Sequence, residues 1–158
     1  MQIRPLAESD NDAVLGLNEE SVKALSPLAA ADLEQHRRDA AYAVVCEVDS
    51  QVVGFALAYA PGSTYESLNY RWHHERFGDF LYLDRIAISS AWRRRGIATA
   101  MYDELETYAA AYGRMVCEVN SEPPNPESLA FHARRGYRPV GSLRQLDGHE
   151  TVMMEKPL

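Results

Sequence analysis

Residues 80–119 constrain the fold more than any other stretch, because they read as strand, helix and strand in direct succession. FLYLDRIAIS is an apolar run of strand-forming residues. GIATAMYDELETYAAAYG then places Ile97, Met101, Leu105, Tyr108 and Tyr112 on one helical face, and Gly113 is a natural stop. RMVCEV returns to strand. Two strands joined through a helix form a parallel crossover, so the sheet holds at least one parallel pair.

The flanking segments add antiparallel partners. MQIRPL reads as a first strand, and a helix is predicted from Glu8 through ESDNDAVLGLNEESVKAL, capped by Ser9 or Asp10. Val14, Leu17 and Val22 are its expected buried stripe, and LAAADLEQHRRD is a second, shorter helix after Pro27. AYAVVCEV and VVGFALAYA flank the tight polar turn DSQ, a hairpin signal. PGSTYESLNYRWHHERFGD shows no clear periodicity and reads as a long ordered loop. After RMVCEV come the turn-rich NSEPPNP, a short helix ESLAFHARR and a terminal hairpin. Asp147-Gly148 is expected to close that hairpin as a type I′ turn. The sum is one α/β domain over residues 1–158, with a mixed, mostly antiparallel sheet flanked by helices.

Composition removes several classes of function. A formal net charge of −7 opposes broad phosphate-backbone binding, so no nucleic-acid partner is expected. It fits loosely with cationic amines as substrates. No apolar run approaches a membrane span, and MQIRPLAESD lacks the apolar core of a signal peptide. Cys46 and Cys117 sit inside apolar strands and read as buried thiols in a reducing, cytoplasmic setting.

Against that acidic balance stands Arg93-Arg94-Arg95, followed by Gly96 and the helix. A helix that starts just after a strand presents free N–H groups and the positive end of its dipole. Glycine there admits a pyrophosphate close to the backbone, and small Ala98 and Thr99 keep the approach open. Neither the dinucleotide fingerprint nor the P-loop lysine is present. Spacing alone leaves a solvent-exposed basic turn as an equal reading.

RRRGIATAMYDEL, entered from LYLDRIAIS, resembles the acetyl-CoA signature Q/R-x-x-G-x-G/A of the GNAT N-acetyltransferase superfamily, with Arg93, Gly96 and Ala98 at the defined positions. Downstream, CEVNSEPPNPESLAFHARRGY resembles the second signature of that family. The resemblance implies a sheet splayed at its two central parallel strands and acetyl-CoA as cofactor. It implies that backbone groups of Ile86, Ala87 and Ile88 pair with the pantetheine arm as an added strand does. Amides from Arg94 through Gly96 and Ile97 to Thr99 would hold the pyrophosphate, with Arg93 and Arg95 assisting. Asn125 would hydrogen-bond the cofactor, with Phe131 alongside. NSEPPNP is longer than the usual spacing, so the Asn125 alignment rests on its distance to His132.

Acetyl transfer to an amine needs a base for the ammonium, a donor for the oxyanion and an acid for the thiolate. Glu118 matches a family glutamate, and alternation sets it on the face opposite Cys117 and Val119. Asp84 and Glu19 are weaker candidates for the base. His132 stands where the family often has a tyrosine acid. Tyr65, Asn69, Tyr70, Trp72 and Asp84 are expected at the acceptor site, with the YESLNYRW segment as pocket wall or homodimer surface. His73, His74 and Glu75 lack a third ligand at metal spacing, so no metal is expected. The expected activity is direct acetyl transfer to the primary amine of a small molecule. A non-catalytic CoA-binding module, or transfer of another acyl group, would carry the same signatures.

Overall fold

The computed structural model describes residues 1–158 as one seven-stranded sheet with helices on both faces. The elements are β1 (Gln2–Pro5), α1 (Asn11–Glu20), α2 (Ala30–Asp39), β2 (Tyr42–Val48), β3 (Gln51–Tyr59), α3 (Leu68–His74), β4 (Leu81–Ile88), α4 (Ile97–Ala109), β5 (Arg114–Glu122), α5 (Pro126–Arg134), β6 (Arg138–Arg144) and β7 (Glu150–Pro157). Strand order is β1-β2-β3-β4-β5-β7-β6. Every pair is antiparallel except β4 with β5.

That parallel pair is brief. Only Leu81↔Met115 and Tyr82↔Val116 are partnered, and beyond them the strands part. The cause lies in β4, where Leu83 pairs with Ala58 and Arg85 with Leu57, leaving Asp84 as the extra residue of a bulge. One inserted residue reverses the side-chain parity of the rest of the strand. Leu81 and Leu83 sit in the α4-side core before the bulge, whereas Ile86 and Ile88 reach the same core after it.

That core holds Ile97, Met101, Tyr102, Leu105 and Ala109 of α4 against Met115, Cys117 and Val119 of β5. Fully burying side chains such as Met101 and Leu105 contributes about 1.5–3 kcal/mol each. Tyr108, expected in the stripe, is instead 37% exposed; its hydroxyl reaches the Ala41 carbonyl at the rim, 3.1 Å away. The opposite face packs Val14 and Leu17 of α1 and Leu33 of α2 against Phe55, Leu57 and Ala87. Beside them, Tyr70 of α3 packs with Tyr59, Phe80, Tyr82 and Val116.

Five local expectations are corrected. The helix expected from Glu8 begins as a 3₁₀ turn and continues as α1 only to Glu20, leaving Val22 outside it. Asp10 does not cap it; its carboxylate takes the Ala7 N–H and the Arg4 guanidinium. Past the helix end the chain is tied to β4, where Arg85 binds Asn18 Oδ1 at 2.9 Å and the Ser26 carbonyl at 2.7 Å. Within the long aromatic segment lies α3, started by Ser67, whose Oγ accepts from the Tyr70 N–H. It is only 7 residues long, too short to display a helical period.

Part of NSEPPNP belongs to β5, since Asn120 pairs with Thr151 and Glu122 with Glu150. Finally, Asp147-Gly148 is not a type I′ turn, because Gly148 alone of the two has positive φ (91°). The loop instead closes through Gly148 N–H to Gln145 carbonyl at 2.9 Å and Gln145 N–H to His149 carbonyl at 2.8 Å. Both-positive φ occurs at Asp49 and Ser50, the turn between β2 and β3.

The hairpin β6–β7 meets α3 through one close packing point. A Cβ on Gly141 would lie 2.5 Å from Trp72 Cζ2, far inside contact distance. Gly141→Ala is therefore expected to destabilise the fold by about 1–3 kcal/mol through overpacking, measured as a lower urea midpoint with unchanged slope.

Candidate active site

The segment leaving β4 turns back at Arg94 (φ 60°) and Gly96 (φ 81°) before α4 begins. The first α4 bond runs from Ala100 N–H to Gly96 carbonyl at 3.0 Å, so the N–H groups of Ile97, Ala98 and Thr99 have no partner in the helix. They open on a groove of about 960 Å³. Ile86, Ala87 and Ile88 pair with Ala56, Phe55 and Gly54 on one side only, and their other edge faces the gap left by β5. A 13-residue helix pointing its free amides at one end of a groove, with an unpaired strand edge at the other, fits a long ligand carrying a phosphate and an amide arm.

All the residues expected at the cofactor line this groove except Arg95, whose guanidinium lies over the Trp92 ring at 4.8 Å. Lys23 and Arg134 line it too and escaped the sequence reading. Lys23 comes from a segment with no signature of its own and Arg134 lies within the second signature, but only folding brings either charge to the groove. Asn125 sits at the start of α5, where its Oδ1 accepts the Ser128 N–H at 3.2 Å and its own N–H bonds the Asn120 carbonyl at 3.0 Å.

A second cavity, about 390 Å³, joins the groove at Ala24, Leu25, Ile86, Asn125 and Ser128. Glu118 stands in its wall, on the sheet face opposite Cys117 and Val119. Glu118 Oε1 accepts from Asn69 Nδ2 at 2.9 Å and from the Tyr82 hydroxyl at 3.0 Å, while Oε2 is buried without a partner. Burial, then the neighbouring Asp84 charge, push the Glu118 carboxyl up to about 8; the two donors pull the other way.

Asp84, two residues beyond Tyr82 on the same strand face, accepts from the Tyr65 hydroxyl at 2.9 Å and lies 3.3 Å from the Tyr82 hydroxyl. Its Oδ2 faces Arg85 Nε at 3.3 Å, an ion pair without hydrogen-bond alignment. Tyr82 therefore bridges two carboxylates while being wholly buried. No sequence cue marked it, since an aromatic in an apolar strand reads as core. Arg85 lines the cavity and fastens its Ala24–Ser26 wall, donating to the Ser26 carbonyl and, at 2.7 Å, to Ser26 Oγ.

Across the cavity is His132, buried on α5. Its Nδ1 lies 2.8 Å from the Ser128 carbonyl, which can only accept, so the hydrogen-bond network assigns the proton to Nδ1. Nε2 then accepts from the Tyr102 hydroxyl at 2.7 Å. Burial lowers the His132 pKa, favouring the neutral ring.

Of the residues expected at the acceptor, Tyr65, Asn69 and Asp84 line the cavity. Tyr70 lies behind it, its hydroxyl bonded to the Ala60 carbonyl at 2.8 Å, and Trp72 is wedged under Gly141. Glu19, on α1, is absent from the lining. His73 is buried with neither ring nitrogen hydrogen-bonded, and burial lowers its pKa to about 4; His74 stacks on Tyr70 at 5.8 Å between centroids. No group of three His, Cys, Asp or Glu side chains is disposed to hold a metal ion. No helix is long and apolar enough to cross a membrane.

The splayed sheet with its amide-lined groove is a frame that can seat a long phosphate-bearing ligand between β4 and β5. Residues 10–137 match the family described as acetyltransferase (GNAT), and the chain belongs to that family. A curated relative, the L-2,4-diaminobutyric acid acetyltransferase of Nocardia farcinica, is 33% identical over 98 residues, covering 59% of this chain. The chain spans only 44% of that relative's length. Among solved structures, a ribosomal-protein-alanine N-acetyltransferase from Brucella melitensis superposes with a TM-score of 0.76 at 23% identity, covering 100% of both chains. Chaetomium thermophilum Naa20, in complex with a bisubstrate analogue, gives 0.80 at 15% identity, covering 100% of this chain and 87% of that one. These two likenesses concern the fold.

The raised Glu118 carboxyl links stability to pH. The folded protein holds a proton near pH 8 that the unfolded chain releases near 4.5, so this group's contribution is present below about 4.5 and lost as pH rises through about 8. Glu118→Gln removes that loss. Urea denaturation is expected to show similar stabilities for variant and wild type at pH 4.5, with the variant gaining relative to wild type toward pH 9.

Proposed function

We infer that the protein transfers an acetyl group from acetyl-CoA directly to the primary amine of a small molecule. The observation that carries this reading is Glu118 Oε2, a buried carboxylate oxygen without a partner, in a cavity that shares wall residues with the groove. The residues of the groove fit the cofactor: Ile97, Ala98 and Thr99 N–H for pyrophosphate, the edge of β4 for the amide arm, and Arg93, Arg94 and Arg134 for phosphate charge. Bound there, acetyl-CoA supplies the acyl group as an activated thioester.

Glu118 has the proton affinity the acceptor requires. An alkylammonium has a pKa near 10.4, roughly six powers of ten above an ordinary glutamate. Against a carboxyl at about 8 the gap shrinks to roughly two, so proton removal becomes a modest cost. Asn69 and Tyr82 occupy Oε1 and leave Oε2 to take the proton. On the far wall, the Tyr102 hydroxyl, held by His132 Nε2, carries the proton on the acid side of the site. A cavity of about 390 Å³ walled by Ala24–Ser26, Gln145 and His149 suits a compact amine better than a polypeptide end. The Nocardia relative, named for a diamino acid, supports the same size class. Cys46 and Cys117, both free and buried, are in keeping with a reducing cytoplasm.

Thiol release from acetyl-CoA with a panel of primary amines tests the reading. The wild-type rate at saturating substrate should climb with pH and level off above about 8. Glu118→Gln should lower kcat by roughly 10²–10⁴-fold and flatten that rise, with acetyl-CoA affinity by calorimetry unchanged. Tight acetyl-CoA binding with no amine turned over, and variants without effect, would replace it with a CoA-binding module.

Gly96→Glu puts a carboxylate where the amides converge, at a position whose φ of 81° suits glycine. Acetyl-CoA affinity is expected to fall at least tenfold, and an unchanged Kd would overturn the pyrophosphate assignment.

A further inference from the structure

Asn69 holds Glu118, and Asn69 is itself held. Its Oδ1 accepts from Gln145 Nε2 at 2.7 Å, and the same Nε2 donates to Thr151 Oγ1 at 3.0 Å. Thr151, nearly fully buried, passes its own hydroxyl proton to the Leu143 carbonyl at 3.2 Å. With the Thr151 proton on the Leu143 carbonyl and Glu118 ionised, every link in this relay runs in one direction. The Leu143 carbonyl can only accept, so the Thr151 oxygen is left to accept from Gln145. The Gln145 nitrogen, with two protons, serves Thr151 and Asn69 together. Asn69 must then turn its nitrogen toward Glu118, whose ionised oxygen can only accept.

A carboxamide is nearly symmetrical in shape, and packing alone does not choose between its two orientations. Reversed, Asn69 would set a carbonyl oxygen against Glu118 Oε1 and oppose ionisation there. We propose that Gln145 is a positioning residue for Glu118, acting through the Asn69 carboxamide, so that the loop between β6 and β7 governs the readiness of the base. This rests on the assignment of Glu118 as base for its catalytic consequence. The hydrogen-bond relay stands apart from that assignment and has its own readout.

Placement favours such coupling. Gln145 and His149 line the acceptor cavity while Leu146, between them, is 98% exposed. An amine entering past this loop meets the group that orients the base. The other titratable groups around Glu118 come from several elements: Tyr82, Asp84 and Arg85 from β4, Tyr65 ahead of α3, Cys117 beside it on β5, Tyr102 and His132 across the cavity, and His149 in the loop. None of them is altered in the variants that test the relay.

The test follows the Glu118 carboxyl directly, by carbon-13 NMR titration of glutamate-labelled full-length protein, with Glu118→Gln identifying the signal. Gln145→Glu has the same shape but donates nothing, so Asn69 must reverse; the midpoint is expected to rise by about one pH unit or more. Gln145→Leu, which adds no charge, should raise it less. In an Asn69→Leu background, Gln145→Leu should move nothing further, since the relay is already cut. kcat for amine acetylation should fall about tenfold in Gln145→Leu, with the acetyl-CoA KM unchanged.

An unmoved midpoint in both Gln145 variants, or shifts that add fully in the Asn69→Leu background, would overturn the proposal. A midpoint that moves as expected while Glu118→Gln keeps full kcat would instead retain the relay and remove Glu118 as base. Should Gln145→Glu fail to fold, the Gln145→Leu and Asn69→Leu pair decides the matter alone.

Discussion

The parting of β4 from β5 is the constraint on which the rest of this protein depends. Two rungs of parallel pairing hold the strands together at Leu81 and Tyr82, and the Asp84 bulge then redirects β4. That one inserted residue has three effects. The edge of β4 beyond it is left with unpaired backbone groups, a state tolerated only where a ligand or water can satisfy them. Ile86 and Ile88 are turned toward the α4 core. Arg85 is kept on the same face as Asp84, opposite that core, where it binds Asn18 and Ser26.

Burying carboxylates is costly, and the protein meets the cost unevenly. Asp84 accepts the Tyr65 hydroxyl proton and is faced by Arg85, the single Tyr82 proton going to the nearer Glu118 oxygen. Glu118 has two donors on one oxygen and none on the other. That asymmetry is wasteful for stability and suited to chemistry, because a carboxylate satisfied at both oxygens would have little reason to take a proton. Arg85 does a second job at the same point, tying the cavity wall at Ser26 to the strand that carries Asp84. The walls and the floor of the cavity are thus fastened by neighbours in one strand.

Much of the frame was legible in the chain. Gly96 after an arginine run, a helix stripe starting at Ile97 and an apolar strand on each side gave the crossover, and the structure has it. Alternation alone assigned Glu118 to the face opposite Cys117 and Val119, where it lies. The misses share a cause. α3 was hidden because its 7 residues bury only Tyr70 and His73, which leaves no period to detect. Tyr70 and Trp72 looked like pocket walls by composition, but they pack under the sheet and under Gly141. An aromatic side chain serves either purpose equally well until its neighbours are known.

By itself the sequence determined what depends on residues within reach of one another along the chain: strand alternation, the helix stripe, the left-handed glycine and the free amides after it. The tertiary structure alone decided how Glu118 behaves. Its donors and their support come from positions 36, 49 and 76 residues apart, a separation that carries no periodic or local signal. Such groups meet only because the strand order sets β4, β5 and β7 side by side and lays α3 across them. Whether a carboxylate takes a proton near pH 4 or near pH 8 is fixed by what surrounds it in space, and that surrounding exists only once the sheet has formed.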